Sequence, residues 1–121
     1  MIIIEYKDYV CSQCFKQLTD CECEVQSYKL IWIDQEIQGV VEILNKKGYR
    51  TEFCCIGHTK GSTAYIQFIF PNTFDLPKGW KSNKHKTNIY YTYMSNDFEQ
   101  EQKQVIEGLT QWAKELKDKY K

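Results

Sequence analysis

Apolar and polar positions along the chain fall into periodic segments divided by turn-forming residues. Ile2, Ile3, Ile4 and Tyr6 around Glu5 read as a short β-strand, ended by Lys7 and Asp8. From Cys11 to Cys23 the chain is polar and shows no usable hydrophobic period. Tyr28 to Ile33, rich in aromatic and branched residues, predicts a strand. Asp34 then stands where a helix N-cap belongs, because its carboxylate can accept a hydrogen bond from a first-turn amide. Ile37, Val40, Val41 and Leu44 follow at the spacing of one helical face, and Gly48 supplies the stop.

The second half alternates more. Tyr49, Thr51, Phe53 and Cys55 interleave with Arg50, Glu52, Cys54 and Ile56, a strand pattern ended by the turn formers Gly57 to Ser62. Ala64 to Phe70 predicts a strand with Ala64, Ile66, Phe68 and Phe70 on one face. Residues 71–87, which hold Pro71 and Pro77, form a long loop, and Asn88 to Met94 returns as a tyrosine-rich strand. A last helix opens near Ser95 or Asn96, where Asn96 and Glu99 fit a capping arrangement. Val105, Leu109, Trp112 and Leu116 form its apolar stripe, widened by Ile106, Ala113 and Tyr120. This order predicts an α+β fold: a small, mostly antiparallel sheet with two helices on one face and an N-terminal zinc-binding loop.

Composition narrows the range of functions. At 121 residues the chain has the size of a single domain, 1–121, with the 11–23 loop inserted near its N-terminus. Sixteen basic residues balance sixteen acidic ones, which argues against a surface that attracts polynucleotide or membrane as a whole. No signal peptide or membrane span is legible, so the expected location is the cytoplasm. A reducing compartment leaves the six cysteines to be explained by something other than disulfides.

Four of those cysteines, Cys11, Cys14, Cys21 and Cys23, form a C-x2-C-x6-C-x-C cluster. Thiolates this close can wrap a tetrahedral zinc ion, and a loop with so little apolar mass would gain its order from the metal. With all four thiolates bound such a site is closed and structural. The alternative is four free thiols in a loop, and the short spacer with its C-x-C pair also fits a site completed from elsewhere.

Phe53-Cys54-Cys55-Ile56-Gly57-His58 ends a strand and enters a turn, where functional groups are commonly presented on a rigid support. Three chemistries fit. Cys55 and His58 could form a thiolate–imidazole catalytic pair. The cysteines with His58 could hold a second metal, although three groups leave the set short. His58 and the turn amides, with Gly57 allowing close approach, could bind an anion. Against these stands a plain packing role, Cys54 and Cys55 filling the two faces of a buried strand. The alternation does not decide which cysteine faces the turn's active side, because a one-residue register shift exchanges them.

The stretch Leu44 to His58, followed by Tyr65-Ile66-Gln67-Phe68 and Leu76-Pro77-Lys78-Gly79-Trp80, resembles small proteins of Firmicutes and their phages. Those carry a helix, a GYxTxxCCxGH segment, a YIxF strand and a PxGF/W loop, often after a cysteine cluster. A phage setting implies action in the host cytoplasm, as an antagonist of host defence that sequesters a signalling nucleotide. The same segment is more weakly similar to wybutosine-synthesis tRNA methyltransferases, matching at Tyr49, Thr51, Cys55 and Gly57, with Ile56 where those have Ser and His58 where they have Arg. That resemblance implies an S-adenosylmethionine-dependent, RNA-modifying enzyme.

Lys78 to Lys86 carries four lysines, His85 and Trp80. Lysines neutralise phosphate and a tryptophan face stacks on a base, although Trp80 equally suits a core anchor and the lysines a solvated loop. With a net charge of zero, a nucleotide-sized anion fits better than a polynucleotide. The expected function is therefore a zinc-stabilised binding protein, more a binder than an enzyme. It captures an anionic, nucleotide-like ligand through Cys55, Gly57, His58, Lys78, Trp80 and Lys81. The alternatives are a thiol-dependent or RNA-modifying enzyme and a protein-docking module, with a homodimer as one form of the latter.

Overall fold

The fold is seen in a computed structural model that describes residues 9–11 and 30–119. The strand expected over 2–6 and the cysteines Cys14, Cys21 and Cys23 lie outside the described residues. A short antiparallel pair, β1 (Tyr9–Cys11) and β2 (Leu30–Trp32), sets Tyr9 opposite Trp32 and Cys11 opposite Leu30. Cys11, expected in a polar loop, instead ends β1 and is fully buried.

Helix α1 (Gln35–Lys46) leads into β3 (Thr51–Cys55) and β4 (Thr63–Phe68). After a loop come β5 (Lys81–Ser82), β6 (Asn88–Thr92) and helix α2 (Phe98–Glu115). The four later strands form one antiparallel sheet in the order β3-β4-β6-β5, which makes the expected α+β fold. The long loop thus contributes a two-residue edge strand that the hydrophobic pattern did not announce, because so short a segment has no period to read.

Both helices cover one face. α1 buries Ile37, Val40, Val41 and Leu44, and α2 buries Val105, Leu109 and Ala113. These pack in one cluster with Ala64, Ile66 and Phe68 of β4 and Ile89 of β6. Burial of each large aliphatic side chain contributes about 1.5–3 kcal/mol, so Leu44→Ala at this fully buried position would cost about 2–5 kcal/mol. The helix ends are joined as well. Just past α1, Lys47 Nζ donates to the carbonyls of Ala113, Lys114 and Leu116 at the end of α2, where helix carbonyls run short of intrahelical donors; the Ala113 carbonyl also accepts from the Leu116 amide.

Two helix starts differ from expectation. Asp34 flanks α1 but makes no side-chain cap. α2 is capped by Asp97, not Asn96, and the Asp97 carboxylate accepts from the amide of Gln100 at 3.2 Å. Carboxylate and carboxamide caps are near equals, so tertiary contacts choose between neighbours.

One irregularity sets up the site. Thr51 pairs with Phe68 but Phe53 pairs with Gln67, so two steps along β3 match one along β4, a β-bulge at Glu52. Past it the faces exchange. Cys54 lies opposite Ile66 and packs on the core, while Cys55 lies opposite Tyr65 on the face away from the helices. No helix among the described residues is long and apolar enough to cross a membrane.

Candidate metal centre

Four backbone groups of Ile56 and Gly57 hold the turn after β3. The Ile56 amide donates to Asp34 Oδ2 at 3.1 Å, and the Ile56 carbonyl accepts from the Tyr93 hydroxyl at 2.7 Å. The Gly57 amide points at Cys55 Sγ at 3.4 Å, and the Gly57 carbonyl accepts from Gln102 Nε2 of α2 at 2.9 Å. Gly57 has φ +83°, and a Cβ there would lie 2.7 Å from Tyr93 Cε2 and 2.9 Å from Ser62 Oγ. The glycine thus serves tight packing against Tyr93 and a left-handed backbone at once. Ile56 itself is fully buried, so the turn is anchored in the core while His58 emerges from it.

This scaffold converges three side chains. Among the described residues, the ligand atoms of Asp34, Cys55 and His58 lie within 4.8 Å of one another. His58 Nε2 is 3.6 Å from Asp34 Oδ2 and 3.9 Å from Cys55 Sγ. Asp34 is 4% exposed whereas the His58 side chain is 63% exposed, so the group opens to solvent on the imidazole side. Burial pushes the Cys55 thiol up; the Gly57 amide opposes this, and the nearby Asp34 carboxylate adds to it. Cys54, deeper in the sheet, is pushed up to about 12 by burial first and then by Asp34 and Cys55.

The geometry separates the chemistries that were open. In a nucleophile–base–carboxylate relay the thiol and carboxylate occupy opposite ring nitrogens. Here both approach the same Nε2, the carboxylate at 3.6 Å and the thiol at 3.9 Å. A shared focus is instead the arrangement of ligands around a cation. Zinc with bonds of about 2.0–2.3 Å needs ligand atoms roughly 3.3–3.8 Å apart, which small side-chain movements would reach. A carboxylate, a thiolate and a neutral imidazole balance a divalent charge and leave a fourth tetrahedral position free. The three side chains are therefore a group that could hold a metal ion.

Asp34 is the member that sequence reasoning missed. Read as an N-cap, it accepts instead from an amide 22 residues away, and only its polarity at the strand–helix junction marked it. Gly57 supports the turn and His58 presents the ligand. The remaining expected ligand-binding residues divide. β3 and β5 are opposite edges of the sheet, so Lys81 lies far from the turn, although on the same outward face as Cys55. Lys78 and Trp80 line a separate cavity of about 410 Å³ shared with Tyr91, Glu101 and Leu109 on the helical side. Trp80 is only 7% exposed and packs against Tyr91 with ring centroids 6.0 Å apart. The structure thus brings Cys55, Gly57 and His58 together and places Lys78 and Trp80 elsewhere. Of the proposed zinc-loop ligands, Cys11 is a buried strand residue, and Cys14, Cys21 and Cys23 are outside the described residues.

Comparison of the chain with protein-family models, with curated proteins and with solved structures finds no match.

Proposed function

We propose that this protein binds zinc through Asp34, Cys55 and His58 and uses the open fourth position to capture an anionic, nucleotide-like small molecule. The observation that carries the reading is the convergence of one carboxylate, one thiol and one imidazole at a turn whose backbone is fastened on both sides. Three protein ligands with a vacant position characterise zinc sites that exchange a ligand, whereas closed four-ligand sites are structural. Mixed sulfur, nitrogen and oxygen donors suit zinc better than magnesium or calcium, which prefer oxygen alone. The anion would enter from the His58 side, where the group meets solvent.

Native mass spectrometry of the full chain, with zinc supplied, tests this. Cys55→Ala and His58→Ala should each lower the zinc count by one per chain relative to the unsubstituted protein, while the melting temperature changes little. Because the difference is taken between variants, a further zinc in the 11–23 loop does not confuse it. An unchanged count in both variants would end the proposal.

A further inference from the structure

Strand register places one rung of side chains across the whole outward face of the sheet. Cys55 of β3 pairs with Tyr65 of β4, Tyr65 pairs with Tyr90 of β6, and Tyr90 pairs with Lys81 of β5. Directly paired residues share a face, and both helices lie on the other side. The rung therefore begins at a ligand of the metal centre, crosses two tyrosines and ends on an exposed lysine. Four strands separated by about 4.8 Å make it about 14 Å long.

The chemistry changes in order along that length. Next to Cys55, a cleft of about 280 Å³ is lined by Ile33, Phe53, Cys54, Cys55 and Tyr65, with Glu52 its one carboxylate. Phe53 stands on the same outward face and is 58% exposed, unusual for so large an apolar ring. Tyr65 and Tyr90 are half-buried, which fixes their rings yet leaves surface to cover. The rung itself carries no acidic side chain. Once a metal is bound it offers an open coordination position at one end and the Lys81 ammonium at the other, with aromatic rings between them.

We propose that this face binds a free guanine nucleotide, with its phosphate toward the metal centre, its base over Tyr65 and Tyr90, and Lys81 donating to acceptors on the base edge. The proposal rests on the metal-capture reading and specifies the ligand for it. Rings of this kind stack on any base, so they supply affinity without choice. Lys81 supplies the choice, because guanine offers two adjacent acceptors, O6 and N7, where cytosine offers a donor. One open metal position for a phosphate oxygen and one lysine suit a single nucleotide. A polynucleotide would need a row of cations, and the rung has none beyond Lys81. This surface also accounts for why Lys81 and Cys55 can belong to one ligand although they occupy opposite sheet edges.

Equilibrium binding of guanosine monophosphate and cytidine monophosphate to the zinc-loaded full chain decides the matter. Guanosine monophosphate should bind at least tenfold more tightly than cytidine monophosphate, and Lys81→Met should erase that preference. Tyr65→Ala and Tyr90→Ala should each weaken guanosine monophosphate by at least about tenfold, while Tyr65→Phe and Tyr90→Phe retain binding. Zinc counts stay at the unsubstituted value in all five variants. The conservative phenylalanine variants guard against a mere folding defect in the alanine ones. Normal zinc content with no guanosine monophosphate binding, or with binding indifferent to both tyrosines, would overturn the proposal and leave the metal reading standing. Loss of the metal reading shows separately, as a zinc count that Cys55→Ala and His58→Ala do not change.

Discussion

The carboxylate of Asp34 accepts a hydrogen bond from the backbone amide of Ile56, 22 residues further along the chain, at 3.1 Å. This one contact ties the start of α1 to the end of β3 and puts an acid beside Cys55 and His58. It makes Asp34 the acceptor for an amide and, in the proposed metal site, a negative ligand as well. Asp34→Asn keeps an acceptor oxygen and loses the charge. It should therefore reduce the melting temperature little but remove the zinc that Cys55 and His58 share. Asp34→Ala leaves the buried Ile56 amide without its acceptor and should cost about 1–3 kcal/mol in addition. Chemical denaturation and zinc counting on the two variants check both halves. Equal zinc retention in Asp34→Asn would show that the carboxylate serves the amide alone.

Glycine substitutions should divide by location. At Gly57 the backbone has φ +83° and a Cβ would meet the Tyr93 ring, so Gly57→Ala should destabilise by about 2 kcal/mol or more and loosen the turn. Gly39 in α1 and Gly108 in α2 have nothing within 4 Å of a built Cβ. Gly39→Ala and Gly108→Ala should each stabilise by about 0.5–1 kcal/mol, since alanine removes the entropic disadvantage of glycine in a helix. Urea denaturation curves of the three variants measure this contrast.

Stability should fall in acid through Glu101. Its carboxylate accepts from the Tyr91 hydroxyl at 2.5 Å and from the amides of Ser95 and Met94. The Tyr91 bond, then the amides, hold its carboxyl below the usual range, against a small opposing effect of burial. The contribution is complete above the unfolded carboxyl value, about 4.3, and is lost as pH falls through the lower folded value. Tyr91 answers at the other end. The Glu101 bond, followed by burial, pushes its hydroxyl up to about 12, so its contribution holds below the ordinary tyrosine value and disappears as pH rises through about 12. Glu101→Gln should flatten both limbs of a stability–pH profile, and Tyr91→Phe should flatten the alkaline limb and part of the acid one. A profile for Glu101→Gln parallel to that of the unsubstituted protein would contradict this account.

By itself the amino-acid order determined the elements whose causes are local. The apolar face of Ile37, Val40, Val41 and Leu44 with Gly48 behind it specifies α1, and the stripe of Val105, Leu109 and Trp112, widened by Ala113, specifies α2, because side chains three and four apart share a helix face. Leu116, read into the same stripe, lies past the helix end. The α+β class was legible on the same terms, and Cys55 and His58, singled out at the turn, do come together in the structure. Three matters rested on the tertiary structure alone. The bulge at Glu52, set by how β3 registers on β4, turns Cys55 outward and Cys54 inward. The amide of Ile56 recruits Asp34 to the turn from across the chain. The register of β5 on β6 sets Lys81 opposite Tyr90 on the same face as Cys55, while its neighbour Trp80 is drawn into the core. Strand pairing, register and amide partners are long-range choices, made by whichever groups the folded chain brings together, and no local pattern encodes them.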